Sequence, residues 1–554
     1  MAKPFHLYDT TLRDGAQQEG MNLSVADKIQ IAALLDRLGV DFIEGGWPGA
    51  IPKDTEFFAR LAKEVTFRNA TLAAFGATRR AGARAAEDPQ VLALLEAETP
   101  VVTLVAKSDI RHVERALKVA GPENLAMIAD TVGFLVGQGR RVFLDAEHFF
   151  DGYRFDPAYA VSCVEAAAQA GAEVVVLCDT NGGMLPESIA AIVAEVGQAS
   201  AAQLGIHCHN DTGCAVANSL AAVEAGAMHV QGTINGYGER TGNADLTAII
   251  PNLVLKLGRG ALGADRLADL TGVAHAISEI TNIAPFARQP YVGTSAFAHK
   301  AGLHASAIRV DPDLYQHVDP VAVGNDMRML VSEMAGRASV ELKGKELGFD
   351  LAGQNDLLTR VTDKVKALEA EGYTFDAADA SFELLLRAEL PGGAPEYFRV
   401  ESWRTISETV PNGHAAPAGP AGQGGRGGQG VRSGRFGAEA PTASEATVKL
   451  WAGADRLVAT GEGNGPVNAL DAALRLALGE VYPELAEIDL VDYKVRILDS
   501  ARGTDAITRV MIESTDGAAV WRTVGVGANI IEASWEALTD AFAYGLLTAG
   551  VAPR

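Results

Sequence analysis

The sequence is short of several things, and each shortage narrows what the chain does. Four cysteines among 554 residues are too few for a disulfide framework. Cys163, Cys178, Cys208 and Cys214 also lack CxxC spacing, so free, mostly buried thiols in a reducing compartment are expected. Basic residues are scarce: 47 Lys and Arg against 70 Asp and Glu leave a net charge of −23. A nucleic-acid binder needs a basic face to displace counterions from phosphate, so that class is disfavoured. The N-terminal MAKPFHLYDTTLRDG holds no apolar run of the signal-peptide kind. The most apolar long window, Tyr159 to Cys178, is interrupted by Glu165, Gln169 and Glu173. It reads as a buried helix running into a strand, not a membrane span, and a cytoplasmic protein is expected.

What is present is a beat. Short β-branched or apolar runs fall at His6–Asp9, Asp41–Glu44, Thr71–Phe75, Val101–Val105, Arg141–Asp145, Glu173–Cys178, Gly205–His209 and His229–Ile234. Their spacing of roughly 25–40 residues is that of one strand, one helix and two turns. Helical stretches lie between, such as Ser24–Leu38, where Ser24 and Asp27 suit an N-cap and a first-turn acid. About eight such units make a (β/α)8 TIM barrel over residues 1–282. A doubly wound sheet is the rival, but no GxGxxG follows the first run.

After the barrel the beat stops. Residues 283–395 read as linker subdomains with a polar cluster, HKAGLHAS at His299–Ser306, and a helix at Gln354–Glu371. Residues 396–554 read as an α+β domain with an internal repeat: Val448–Leu478 and Arg509–Leu547 each run strand, turn, strand, glycines, helix. The two helix N-termini suit a small carboxylate ligand. Within this domain Pro411–Glu445, rich in Gly, Ala, Pro, Gln and Arg, has too few apolar groups to offset ordering entropy. It is expected to be a disordered insertion in a hairpin, because both flanks look like strands.

The chemistry concentrates at the ends of the barrel strands. In GIHCHND, at Gly205–Asp211, alternation puts His207 and His209 on one face and Cys208 on the other. Two imidazoles on an inward face make half a metal site; the alternative is a pair of core histidines. In YDTTLRDGAQ, Asp14 offers a hard oxygen ligand and Arg13 a fork of donors for oxyanion charge, unless they form only a surface ion pair. Glu44, Glu147 and Thr180 end three further runs, each with an alternative reading as a helix cap or solvated group. Asn243, in NGYGERTGNADL, offers an amide oxygen among glycines that let backbone approach a ligand closely.

Taken together, DTTLRDGAQ, IEGGWPGA, CDTNGG, HCHND and GERTGNA resemble the DRE-TIM metallolyases, which include isopropylmalate, homocitrate and citramalate synthases and hydroxymethylglutaryl-CoA lyase. The resemblance extends over nearly the whole chain, including HKAGLH, GNGPVNALD, DYKVRILD and TVGVGANIIEASWEAL. GGWPGAIPKD and DAEHFFDGY point to the citramalate branch, although Ala50-Ile51 replaces an expected small polar pair. The resemblance implies a divalent metal (Mn2+, Mg2+, Zn2+ or Co2+) on Asp14, His207 and His209, with Asn243 ligating or close. It further implies that Arg13, Thr180 and Glu44 bind substrate, that Glu147 and His304 are the acid/base pair, and that Tyr315 positions water. The implied reaction is condensation of acetyl-CoA with pyruvate to citramalate, in isoleucine formation. An isopropylmalate-type acceptor is the alternative, differing by methylenes worth only about 1–3 kcal/mol. A homodimer and an amino-acid effector (isoleucine) on the C-terminal domain are also implied. A hydroxyacyl-CoA lyase is disfavoured by the tail after Glu396, and a non-catalytic sensor by the intact Arg13, Asp14, His207, His209 and His304 set.

Overall fold

The computed structural model describes residues 5–409, 442–498 and 506–554. Eight parallel strands close into a barrel in chain order: β1 (His6–Asp9), β2 (Phe42–Glu44), β3 (Thr71–Ala77), β4 (Val101–Lys107), β5 (Arg141–Glu147), β6 (Val174–Asp179), β7 (Leu204–Cys208) and β8 (His229–Gly232). The ring is sealed by β1 on β8, where Tyr8 opposes Gln231 and Asp9 opposes Gly232. Both faces of a parallel strand are covered, which is why β6 can read VVVLCD with every residue buried. Tyr8, Phe42 and Phe143 fill the interior beneath the strand ends. The barrel is therefore a packed core, and polar chemistry is left to its C-terminal rim.

The helix Val25–Leu38 shows how local sequence sets these elements. Ser24 Oγ accepts from Asp27 N at 3.1 Å while Asp27 Oδ2 accepts from Ser24 N at 2.7 Å, closing a reciprocal cap. Gly39, at φ 94°, ends it in the left-handed region.

The barrel unit runs past the expected boundary at 282, comprising residues 1–297 and 316–327. Polar ties explain this: Gln289 Nε2 donates to Asp245 at 2.8 Å, Thr271 Oγ1 to Val323 O at 2.7 Å and Asn325 Nδ2 to Tyr291 O at 2.7 Å. The second unit holds residues 298–315 and 328–554. It contains the short pair β9 (Ala298–His299) and β10 (Arg328–Met329), and helices Gly302–Ile308 and Asn355–Glu371.

The C-terminal repeat is one strand longer than the sequence reading. Each half is a three-stranded antiparallel sheet followed by a helix. The first is β11 (Arg399–Thr409), β12 (Thr442–Ala452), β13 (Asp455–Gly463) and Pro466–Leu478; the second is β14 (Asp489–Ile497), β15 (Thr508–Thr515), β16 (Val520–Gly527) and Ile530–Thr548. The insertion is correspondingly shorter at its end. Thr442 to Glu445 belong to β12, with Thr409 opposite Thr442 and Ile406 opposite Glu445. Backbone pairing needs no apolar side chain, so small polar residues can join a ladder. The rest of the expected insertion, 411–441, lies outside the described residues. Among the described residues no helix is long and apolar enough to cross a membrane.

Candidate active site

A cavity of about 700 Å³ opens at the C-terminal rim, lined by Arg13, Asp14, Glu147, Thr180, His207 and His209 among others. His207 lies on β7 and His209 one residue beyond its end, so the alternation carries both rings to one side. Their Nε2 atoms lie 3.6 and 3.9 Å from Asp14 Oδ2. Cys208 is buried against Ser219 of the outer helix Ala215–Glu224. Among the described residues Asp14, His207 and His209 are the one group of three carboxylate, imidazole or thiol side chains spaced to hold a metal ion.

Asn243 completes the group. The loop carrying it is stitched to the end of β7: Asn210 N donates to Gly242 O and Ala244 N to Cys208 O, both at 2.9 Å. Two glycines make this fold possible. A Cβ on Gly238 would fall 2.2 Å from Asn243 Nδ2, and one on Gly242 would fall 2.0 Å from Gly236 O. Both have positive φ as well, 150° and 92°. Asn243 Nδ2 donates to Asp14 Oδ1 at 3.1 Å, while its Oδ1 is buried with no hydrogen-bond partner. An orphaned buried carbonyl oxygen beside two imidazoles and a carboxylate is a donor set that fits a divalent cation.

Electrostatics agree with that use. Burial pushes the Asp14 carboxyl up, but the Arg13 charge beside it, helped by the hydrogen bond from Asn243, holds the group below the usual carboxylate range. Burial lowers both imidazoles, His209 to about 4, with His207 adding to the effect. The site therefore presents an ionised carboxylate and neutral rings, the ligating forms of each.

Arg13 is held from three sides. It pairs with Asp14 at 2.9 Å and with Glu44, and its guanidinium lies 3.8 Å over the Phe75 ring. Glu44 is a correction to the sequence reading, which gave it a substrate contact. It is fully buried and does not line the cavity. Its oxygens accept from Tyr8 Oη and Thr10 Oγ1, each at 2.6 Å, and from Arg13. Glu44 thus anchors Arg13 from beneath.

Thr180 and Glu147 both reach the cavity. Thr180 Oγ1 accepts from His148 N at 2.8 Å, and Glu147 pairs with Lys107 across the β4–β5 register. His304 and Tyr315 are not cavity residues; they belong to the second unit, where their rings stack at 4.1 Å. Three residues that sequence reasoning missed stand beside the expected ones. Arg240 donates to His209 Nδ1 at 3.0 Å and pairs with Asp211 at 2.8 Å. Gln231 meets His207 Nδ1 at 2.8 Å, and Asp145 accepts from Gln231 at 2.9 Å. Burial, reinforced by the Glu44 charge, pushes the Asp145 carboxyl up to about 8. Arg240 lies within GERTGNA, and alternation along β8 turns Gln231 inward.

Fold and donor set together define a barrel enzyme of the HMGL-like class, whose family description matches residues 4–277. Residues 291–373 match the homocitrate synthase post-HMGL domain-like family, and residues 431–546 the LeuA allosteric (dimerisation) domain. An (R)-citramalate synthase of Streptomyces coelicolor is 62% identical over 549 residues, covering 99% of this chain and 98% of that protein. One from Aquifex aeolicus is 48% identical, with 99% and 98% covered. A 2-isopropylmalate synthase of Pyrococcus furiosus, at similar coverage of 98% and 99%, is only 29% identical. The chain belongs to the (R)-citramalate synthase family.

Proposed function

We propose that the protein is an acyltransferase that condenses acetyl-CoA with pyruvate and water to give (R)-citramalate and CoA, serving isoleucine formation through 2-oxobutyrate. The observation that carries this reading is the meeting of Asp14, His207 and His209 at one cavity with Arg13 and Thr180, in a chain with full-length relatives of that name. The cavity also gathers Arg79, Arg80, Lys107 and Arg240 in an otherwise acidic protein, which suits anionic substrates.

Asp14, His207 and His209, with Asn243, would hold a divalent metal, which when bound supplies a Lewis acid for the 2-oxo acid's carbonyl. Arg13, already immobilised by Glu44, Asp14 and Phe75, faces the oxygen on which negative charge develops, so no reorganisation accompanies the step. Thr180 already accepts from His148 N, which leaves its hydroxyl hydrogen for the substrate carboxylate. Glu147 and His304 share the proton work. A methyl proton leaves acetyl-CoA, the carbon–carbon bond forms at the keto carbon, and the new alkoxide is protonated. Water then attacks the thioester and CoA leaves, with Tyr315 orienting that water. His304 and Tyr315 reach the chemistry from a partner subunit, so the working form is a homodimer. In this reading the barrel unit is catalytic and residues 396–554 bind an amino-acid effector, isoleucine.

The test is product identity. Purified protein given a divalent metal, acetyl-CoA and pyruvate should form (R)-citramalate stoichiometrically with free CoA on chiral chromatography. Formation of the S isomer, or CoA release without citramalate, would overturn the reading.

A further inference from the structure

One polar chain inside the barrel ends on His207, and its other two members take no part in the chemistry proposed above. It runs from β5 through β8 to β7. Gln231 Nε2 donates to Asp145 Oδ1 at 2.9 Å, and Gln231 Oε1 lies 2.8 Å from His207 Nδ1. All three side chains are buried, Gln231 completely. Gln231 is closed off from water, so its two partners constrain it from both ends.

An amide has its donors on one end and its acceptor on the other. Asp145 Oδ1 takes the amide nitrogen, which turns the carbonyl oxygen of Gln231 toward His207. A carbonyl can only accept, so His207 carries its hydrogen on Nδ1. The lone pair is then on Nε2, the atom 3.6 Å from Asp14 Oδ2. His209 has no equivalent, because its Nδ1 faces the Arg240 guanidinium, which can only donate.

We propose that Gln231, aligned by Asp145, is a positioning residue that fixes His207 in the tautomer whose Nε2 faces Asp14, preparing the ring as a metal ligand. This rests on the reading of Asp14, His207 and His209 as the metal site. Orienting partners of this kind hold a ligand's ring and tautomer, and their loss typically weakens metal affinity about 10–100-fold. The direction of the amide is the working part. Gln231→Glu keeps an acceptor toward Nδ1, since a Glu beside Asp145 can share one proton with it. Gln231→Met keeps the length and loses the acceptor. Asp145→Asn can offer its own amide hydrogen to Gln231 Oε1, which turns Gln231 round and presents a donor to His207.

The experiment is Co2+ affinity of the full-length protein, read by the visible absorption of the bound ion and by chelator competition. Wild type and His207→Ala come first: if they bind alike, the metal-site reading itself fails. Given a wild-type site that His207→Ala removes, Gln231→Met and Asp145→Asn should each bind about 10–100-fold more weakly and Gln231→Glu within a few fold of wild type. Wild-type affinity in Gln231→Met, or a Gln231→Glu as weak as Gln231→Met, overturns the proposal. If a variant fails to fold, 15N-histidine spectra of chelator-treated wild type decide, with the His207 signal assigned by its loss in His207→Ala. A hydrogen on Nδ1 supports the proposal and a hydrogen on Nε2 overturns it.

Discussion

Asn243 and Asp14 are 229 residues apart in the chain, yet the Asn243 amide donates to Asp14 Oδ1 at 3.1 Å. That bond joins the loop after β8 to the loop after β1 at the point where the barrel closes. It also leaves Asn243 Oδ1 as a buried acceptor without a partner, beside the His207 and His209 rings.

His207→Ala should abolish turnover and reduce bound metal, since a site with three protein ligands has few to spare. Cys208→Ala, changing a thiol packed against Ser219 of the outer helix, should leave both nearly intact. Metal analysis of the two purified variants checks this. Metal retained by the first and lost by the second would contradict the strand register.

Glu44→Gln should damage both stability and catalysis, because it removes the buried counter-charge of Arg13 and an acceptor for Tyr8 and Thr10. Breaking a buried ion pair from one side costs about 3–5 kcal/mol. A denaturant titration together with kcat should show both losses. A variant with unchanged stability and a raised KM alone would restore Glu44 as a substrate contact.

The barrel was legible because its signal is local. Each parallel strand is buried on both faces and so reads as an apolar run, and His207 and His209 declare a shared side through alternation alone. The roles of Asp145 and Gln231 were not legible, because they come from pairing across the barrel, 86 residues apart. Glu44 looked like a rim residue because it ends β2, and nothing nearby in sequence announces the Arg13 above it. In the C-terminal domain β14, which holds most of the DYKVRILD motif, was not read as a strand of the repeat, for a different reason. Tyr493, Val495 and Ile497 alternate with Lys494 and Arg496, but none of its side chains is fully buried, so that alternation marks no core face. Thr442–Glu445 looked like linker because their contribution is backbone pairing.

Asp540 offers a pH test remote from the metal ligands. Burial pushes its carboxyl up to about 7, against an ordinary value of 3.8, with Ser381 Oγ donating to it at 3.0 Å. A raised folded-state pKa contributes stability that is fully present below 3.8 and lost as pH rises through about 7. Asp540→Asn keeps the acceptor and removes the titration. Its melting temperature should match wild type near pH 4 and exceed it increasingly toward pH 7. A gap that does not change with pH would contradict the assignment.

Thr409 and Thr442 are directly opposed in the β11–β12 ladder. A short Asn-Gly turn in place of residues 411–440 should therefore close the hairpin without disturbing it. Shortening a loop from about 30 residues to a few should favour folding by about 1–2 kcal/mol. Activity and its response to isoleucine should both survive, as read by an isoleucine titration of the deleted enzyme. An enzyme that no longer responds would show that the segment takes part in effector binding.

The central claim is acceptor choice, and steady-state CoA release with a panel of 2-oxo acids tests it most directly. Metal-loaded enzyme should show its highest kcat/KM with pyruvate, a lower value with 2-oxobutyrate and the lowest with 2-oxoisovalerate. Each step should be about tenfold or more, the scale set by one methylene in a closed apolar pocket. Faster turnover of 2-oxoisovalerate than of pyruvate would contradict the account and make the protein an isopropylmalate-forming enzyme.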